Sequence, residues 1–368
     1  MSNNDELTLN LLIIGQTGVG KSSLLNALVG EYVEGTGDGR PKTPKERINE
    51  KGEIESGIYP HEAEIDGKKV IIHDSWGLEV GKDEEWEEII NNALKEKGSD
   101  KDVKDWFHSV TYCIQAGGHK IQDFDIKIIK KFMNEKYNVI IALTKADQID
   151  EEKEKKLIET IKKETGINMV IPISADPQKF RGMTEAPKPF GLPEYKAAIL
   201  ISWEKIFIDR IPLHIIERLK KDIEKAKYNA PNYKPKDDDD LKKLAEEIDE
   251  YFINIINKKL QSHIKESFEK YNKITENIIT INTNIDISNF YSRKNIDPNT
   301  YIYDLHGFNL LYIFEHVRDL VIYLQVKSDI DKYINDFIDK RVEEAIKYIS
   351  KKSFEDKIKK IITDNLEK

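Results

Sequence analysis

The stretch from Leu7 to Tyr32, LTLNLLIIGQTGVGKSSLLNALVGEY, changes within a few residues from dense apolar to glycine-rich to helical. Leu7 to Gly15 is nearly continuous in leucine and isoleucine, as a strand covered on both faces requires. KSSLLNALVG, starting at Lys21, reads as a helix. Between them, Gly15-Gln16-Thr17-Gly18-Val19-Gly20-Lys21-Ser22 fits G-x-x-x-x-G-K-[ST] in the context that pattern needs, after a strand and opening a helix. Such glycines let the chain curl so that the backbone from Gln16 through Thr17, Gly18, Val19, Gly20, Lys21 and Ser22 to Ser23 faces an anion at a helix N-terminus, where the dipole favours negative charge. The stretch is a phosphate cradle: Lys21 is expected to reach β- and γ-phosphates, and the Ser22 hydroxyl to ligand Mg2+.

Outward from this stretch, residues 7 to about 200 alternate short apolar runs with amphipathic ones. KKVIIHD, SVTYCIQ, NVIIALTK and NMVIPIS read as further strands; EEWEEIINNALKEK, DFDIKIIKKFMN and EEKEKKLIETIKKETG read as helices. This alternation predicts an α/β fold with a doubly wound, mostly parallel sheet. SGIYPHEAEIDGKKV reads as a hairpin turning at DG, so one sheet edge should be antiparallel. Beyond residue 200 the strands stop and an all-α domain is expected over 201–368, broken by the polar, proline-containing loop NAPNYKPKDDDD at 229–240. Leu241, Leu244, Ile248, Phe252, Ile255, Leu260, Ile264, Phe268 and Tyr271 form one apolar stripe; Ile330, Ile334, Phe337, Ile338, Ala345, Ile349, Ile358 and Ile361 form another. Residues 281–308 have no clear period, and no fixed-length repeat occurs.

The 368 residues exceed what one core usually serves, and 39% hydrophobic with 34% charged residues suits a water-soluble protein rich in helix. Runs such as LLIIG and AAILI are too short to cross a bilayer. The polar, acidic start MSNNDELTLN does not read as a signal peptide, and neither end carries a lipidation motif. A single cysteine, Cys113, rules out an internal disulfide framework and fits a reducing compartment, so cytoplasm is the expected location. Net charge is −9, of which residues 1–200 carry −8 and residues 201–368 carry −1. Neither part has the positive surplus that binding nucleic acid through phosphates demands, and bare attachment to anionic lipid is disfavoured for the same reason.

Thr144-Lys145-Ala146-Asp147 ends an apolar strand, where an open parallel sheet places a base-binding loop. The Asp147 carboxylate can accept from guanine N1–H and the 2-amino group, whereas adenine would leave it unpaired. Lys145 would lie along the ring and touch the phosphate loop. In PISAD, the backbone of Ser174 and Ala175 could meet guanine O6. Asp74-Ser75-Trp76-Gly77 follows another strand; an acid there can bind Mg2+ through water, and the Gly77 N–H can meet a γ-phosphate. GTGDGRPKTPKER, between the two, reads as a mobile loop whose Thr43 hydroxyl completes the magnesium shell, with Thr36 as the rival.

These elements, in this order, resemble the P-loop GTPases of the translation-factor-related class over residues 7 to about 200. GQTGVGKSSLLNALVG is most similar to the septin, dynamin-related and immunity-associated branches. The resemblance implies GTP and GDP as ligands, Mg2+ as cofactor, and hydrolysis of GTP. Leu78 stands where Ras-like proteins carry a water-orienting glutamine, and Trp76 where many relatives have proline. Leu78 cannot polarise water, so hydrolysis is slow or draws charge from elsewhere. Apolar replacement at that place is shared with branches that hydrolyse GTP as dimers or assemblies.

CIQAGGHKIQDFD (113–125) resembles the segment where plastid import-receptor and immunity-associated GTPases turn a basic residue toward a partner's nucleotide; Lys120 falls there, beside His119. An ordinary solvated lysine at a helix start is the alternative. Arg40, in the mobile loop, is the competitor for supplying transition-state charge in the same chain. His61, His73 and Cys113 lack a second His or Cys at ligand spacing, so no zinc site is expected, and Cys113 reads as a small buried hydrophobe. The expectation is a GTPase that forms a nucleotide-dependent homodimer and engages a protein partner through its helical domain. The alternatives are a GTP-dependent scaffold that barely hydrolyses, and a membrane-acting relative using KRVEEAIKYISKKSFEDKIKKII (340–362), a stretch offset by its own acids.

Overall fold

A computed structural model of the chain describes residues 7–30, 46–48, 54–65, 67–75, 77, 82–118, 120–179, 184–280 and 330–366. Six strands, β1 (Leu9–Gly15), β4 (Ile58–Ile65), β5 (Lys68–Ser75), β6 (Ser109–Gln115), β7 (Val139–Thr144) and β8 (Val170–Ile173), form one sheet in the order β4-β5-β1-β6-β7-β8. All neighbours are parallel except β4 with β5, the hairpin at the edge. The fold is therefore the doubly wound α/β sheet expected. Every residue of β1 and β7 is buried, which is why both read as unbroken apolar runs rather than alternating ones.

Helices α1 (Lys21–Val29), α2 (Asp83–Glu96), α3 (Asp123–Asn134) and α4 (Glu151–Thr165) connect the strands. α1 packs on β1, β4 and β5, while α2, α3 and α4 lie side by side in a row. A second sheet of two strands, β2 (Glu46–Ile48) and β3 (Ile54–Ser56), pairs antiparallel. The loop read through Arg47 thus ends in a strand; three residues are too few to set a period.

The described residues after β8 are helical: α5 (Leu192–Ala226), α6 (Asp238–Thr280), α7 (Ile330–Ile349) and α8 (Lys352–Leu366). The chain divides into two compact units, Met1–Arg210 with Lys270–Lys294, and Ile211–Glu269 with Asn295–Lys368. The divisions fall inside α5, next to Pro212, and inside α6.

In the first unit, Trp203 and Phe207 of α5 meet Tyr271 of α6 with ring centres 5.9 and 4.4 Å away. The fully buried Arg210 guanidinium lies over Tyr137 at 3.8 Å and donates to the carbonyls of Glu135 and Lys97 at 2.9 and 2.8 Å. In the second unit, Leu241, Leu244, Ile248, Phe252, Leu260, Ile264 and Phe268 are buried as the first stripe predicts, but Ile256, not Ile255, turns inward. The second stripe is two helices, broken at Ser350–Lys351, and Ile362 rather than Ile361 is buried. At a 3.6-residue period either of two adjacent residues can face the core, so spacing alone does not choose. Residues 281–308, left unassigned above, fall outside the described residues. No helix among the described residues is long and apolar enough to cross a membrane.

Candidate functional site

The strand order reverses at β1, which has β5 on one side and β6 on the other. In an open α/β sheet, ligands sit beyond the carboxyl ends of the strands at such a point. Gly15, Ser75, Gln115, Thr144 and Ile173 are the last residues of β1, β5, β6, β7 and β8, so the loops after them converge there.

Gly15 opens the phosphate loop. A Cβ on it would stand 2.5 Å from the Cys113 carbonyl oxygen of the neighbouring strand, so no side chain fits. Lys21, first residue of α1, is buried, and its Nζ donates back to the carbonyls of Gly15 and Gln16 at 3.1 and 3.0 Å. Burial pulls its ammonium below the ordinary lysine range, and the nearby Asp74 carboxylate opposes that pull. Ser22 and Ser23 occupy the same first turn and are half-buried. Asp74, fully buried in β5, is in register with Ile13 of β1, which brings a carboxylate alongside the loop. Gly77 touches the loop directly: a Cβ there would lie 2.5 Å from Thr17 Oγ1 and 2.8 Å from the Thr17 nitrogen. The buried Thr17 hydroxyl has no hydrogen-bond partner among the described residues.

The loop after β7 is tied to the phosphate loop at two points. Thr144 Oγ1 donates to the Val19 carbonyl, and Lys145 Nζ donates to the Gly18 carbonyl at 2.8 Å. Lys145 takes a left-handed backbone conformation, φ 52°, uncommon for a residue with a side chain and of a kind that collects at binding sites. Ser174 Oγ donates to Asp147 Oδ1 at 2.7 Å, which fixes the carboxylate and leaves Oδ2 unengaged by that bond. The Ser174 backbone pairs in both directions with Phe190, just before α5, and this holds the loop after β8 in place. A cavity of about 470 Å³ lies among Gly20, Thr144, Lys145, Asp147, Ser174 and Ala175.

Several site residues were not legible in sequence. Gln148 also lines this cavity, and the Gln115 amide donates to the Gly117 carbonyl at 2.9 Å beside it. Gln16 donates to both Asp125 oxygens at 2.9 and 3.1 Å, and Asp125 also accepts from Tyr112 and from the Gln122 N–H. The one available signal was the spacing Gln122-x-x-Asp125, which closes a capping box at the start of α3. Cys113 is buried, which pushes its thiol up to about 12 and leaves it inert. No group of three or more His, Cys, Asp or Glu able to hold a metal occurs among the described residues.

The structure thus brings Gln16 to Ser23, Asp74, Gly77, Thr144, Lys145, Asp147, Ser174 and Ala175 to one edge of the sheet. Lys120 is exposed on the loop between β6 and α3. Thr36, Arg40, Thr43, Trp76, Leu78 and His119 lie outside the described residues.

The septin family model matches residues 5–180, just under half of the chain. Cell division control protein 10 of Candida albicans is 28% identical over 170 residues, covering 41% of this chain and 46% of that protein. Neuronal-specific septin-3 of Rattus norvegicus is 26% identical over 176 residues, covering 43% and 47%. The chain therefore spans about half the length of the curated relatives it matches. A crystal structure of Toc33 from Arabidopsis thaliana in complex with Mg2+ and GMPPNP is 14% identical, with a TM-score of 0.37, covering 56% of this chain and 87% of that one. The fold assignment rests on the strand order and not on so loose a superposition. With the phosphate loop at the switch point and the septin match laid over the same residues, the chain has the fold of a P-loop nucleotide-binding domain and is similar to the septins over residues 5–180.

Proposed function

We propose that residues 1–200 bind GTP and GDP with Mg2+, hydrolyse GTP to GDP, and dimerise in response to the bound nucleotide, while the helical domain over 201–368 engages a protein partner. The observation that carries the guanine reading is the pairing of Asp147 with Ser174 at 2.7 Å beside a cavity that the phosphate loop also lines. The Ser174 hydroxyl uses one oxygen of a carboxylate that offers four acceptor sites, so lone pairs remain for two donors on one base edge. Guanine presents that pair and adenine does not.

The residues present fit Mg2+. One hydroxyl, Ser22, and one carboxylate, Asp74, are hard oxygen donors, too few to cage a metal without phosphate and water oxygens, which is the way Mg2+ is ordinarily held. The unpartnered Thr17 hydroxyl and the Gly77 backbone that only a glycine can bring so close mark where the loop awaits further oxygens. Ser22 and Asp74 would hold the Mg2+, which would offset the charge on the phosphates. Lys21 would exchange the Gly15 and Gln16 carbonyls for phosphate oxygens; Thr43, with Thr36 as rival, would complete the metal's ligands; Gly77 would donate its N–H to the γ-phosphate. Leu78 offers no group to orient water, so the charge that speeds hydrolysis comes from Lys120 of a second copy, or from Arg40 in the same chain.

Calorimetry with GTP, GDP and ATP tests the ligand, with ATP expected at least roughly a hundredfold weaker because it would leave site groups unpaired. Equal affinities would remove the guanine assignment. Light scattering on the apo, GDP and non-hydrolysable GTP-analogue forms tests the assembly step, and a monomer in all three would remove it.

A further inference from the structure

A second cavity, about 770 Å³, lies away from the phosphate loop between β4, β5 and the C-terminal half of α2. Its lining is mixed: Ile58 and Pro60 of the edge strand, Ile89 and Ala93 of α2, and Phe107 supply the apolar part, beside His73, Asn92 and charged side chains. The Phe107 ring meets His73 edge to face at 5.1 Å, so the floor is aromatic. Burial and the nearby Lys97 charge hold His73 neutral, at about 3, and it adds no charge to the floor. Positive charge comes instead from Lys95, Lys97 and Lys101, against Glu96 in the lining and Asp105, whose carboxylate also acts on Lys97. Lys101 is ion-paired with Asp100 at 3.1 Å, whereas neither Lys95 nor Lys97 forms a salt bridge with any described residue.

Lys97 is the telling residue. It caps α2, and its carbonyl accepts from Arg210 Nη2 at 2.8 Å and from the Tyr137 hydroxyl at 3.0 Å, so its backbone is pinned. Its ammonium stands 5.8 Å from the Phe107 ring centre and is partly withdrawn from water. Lysines at a helix C-terminus do complement the dipole. That role asks for neither a pinned backbone, nor desolvation, nor an apolar chamber beside the charge. A volume in the range of small-molecule sites, lined partly by apolar residues and partly by lysines, is the form of a pocket for an apolar body with an anionic head.

We propose that this cavity is a second binding site, which takes a small amphiphilic anion, its apolar part against Ile58, Ile89 and Phe107 and its carboxylate or phosphate head on Lys97 and Lys95. Because α2 follows the Asp74–Gly77 segment in sequence, an occupant braces the helix that leads out of that segment.

Calorimetry on the full chain saturated with GDP and Mg2+, so that the phosphate loop is filled, decides the matter, with octyl phosphate, octanol and inorganic phosphate as probes. Octyl phosphate should bind one to one, about tenfold or more tighter than either fragment, since each supplies half of the recognition. Lys97→Met should weaken it about tenfold or more, the loss of one charge-assisted contact. Ala93→Glu, a half-buried change that puts a negative charge on the wall, should abolish binding with the thermal transition retained. Octanol binding as tightly as octyl phosphate would deny the cations a role, and inorganic phosphate doing so would deny the apolar walls one. Unchanged affinity in Lys97→Met, or no heat with octyl phosphate at about 1 mM, overturns the site. If GDP fails to bind, the nucleotide reading has failed separately, and the Lys97→Met comparison still decides this one.

Discussion

The side-chain amide of Gln16 donates to both carboxylate oxygens of Asp125, across 109 residues of chain, and thereby joins the phosphate loop to the first turn of α3. Asp125 also takes the Tyr112 hydroxyl and the Gln122 N–H, so one buried carboxylate organises three donors. Removing it strands those donors, and Asp125→Ala should cost about 3 kcal/mol of stability by denaturant unfolding. A double-mutant cycle with Gln16→Ala should give a coupling of about 1 kcal/mol. Additive losses would mean that loop and helix are held independently.

Base recognition has its own chemistry to change. In Asp147→Asn an amide donor replaces one acceptor, while Ser174 can still donate to the remaining oxygen. Affinity should move from guanine toward xanthine nucleotides, with GTP weakened roughly a hundredfold. A variant that still prefers GTP over XTP in competition binding would place the base elsewhere.

Lys21→Ala removes a buried cation whose present partners are carbonyls of its own loop. Fold stability should change little, because those carbonyls belong to a loop open to ligand. Triphosphate affinity should fall by about 2 kcal/mol, a charge-assisted hydrogen bond on phosphate being lost, and turnover should vanish. Turnover at the wild-type rate would show that the loop does not hold the reacting phosphates.

The pH response of the fold can be signed from two histidines that share Asn10. The Asn10 N–H donates to His108 Nδ1 at 2.9 Å, which requires the proton on Nε2, where it meets the Val103 carbonyl at 3.0 Å. The Asn10 side-chain oxygen faces His73 Nε2 at 3.2 Å. Burial lowers His73 to about 3 and His108 to about 4, in both cases from an ordinary 6.5. Both rings are neutral in the fold and protonate readily only when it opens. Their stabilisation is therefore complete above pH 6.5 and is lost as pH falls toward 4 and then 3, at about 1.4 kcal/mol per pH unit for each ring. Chemical denaturation between pH 7 and 5 should show this slope, and His108→Gln should roughly halve it. An equal slope in the variant would locate the proton uptake elsewhere.

Periodicity showed the elements whose cores are local. β6 and α3 begin and end where their patterns do, because each buries one continuous set of residues. α5 was not legible: Ile199, Leu200, Trp203, Ile206, Phe207, Arg210 and Ile211 are all buried, leaving no clean polar stripe, and Pro212 reads as a stop although the helix runs on to Ala226. In the candidate site, the motif residues Lys21, Asp74, Lys145 and Asp147 could be read because each is placed by its own strand end. Gln115, Asp125 and the side-chain bond from Gln16 to Asp125 could not, since their partners are fixed only when distant strands come into register.

How hydrolysis is driven is the remaining question, and Lys120 supplies a test. Loss of a transition-state cation can cost on the order of 10³–10⁵ in rate, and Leu78 provides no substitute. Lys120 is exposed, with no claim on its charge from within the described chain. It lies between the end of β6 and the Gln122–Asp125 box, so its loop is anchored at the same Asp125 that receives Gln16 of the phosphate loop. A two-fold axis beside this edge would carry each Lys120 to the partner's phosphates, and symmetry makes the exchange reciprocal. Specific activity should therefore rise with protein concentration, and Lys120→Ala should flatten that rise while GTP affinity stays within about threefold, exposed single charges contributing little to binding at equilibrium. Arg40→Ala should instead slow turnover by the same factor at every concentration if the charge comes from the same chain. Specific activity that is flat from nanomolar to tens of micromolar protein, with Lys120→Ala matching wild type throughout, removes the exchange between copies.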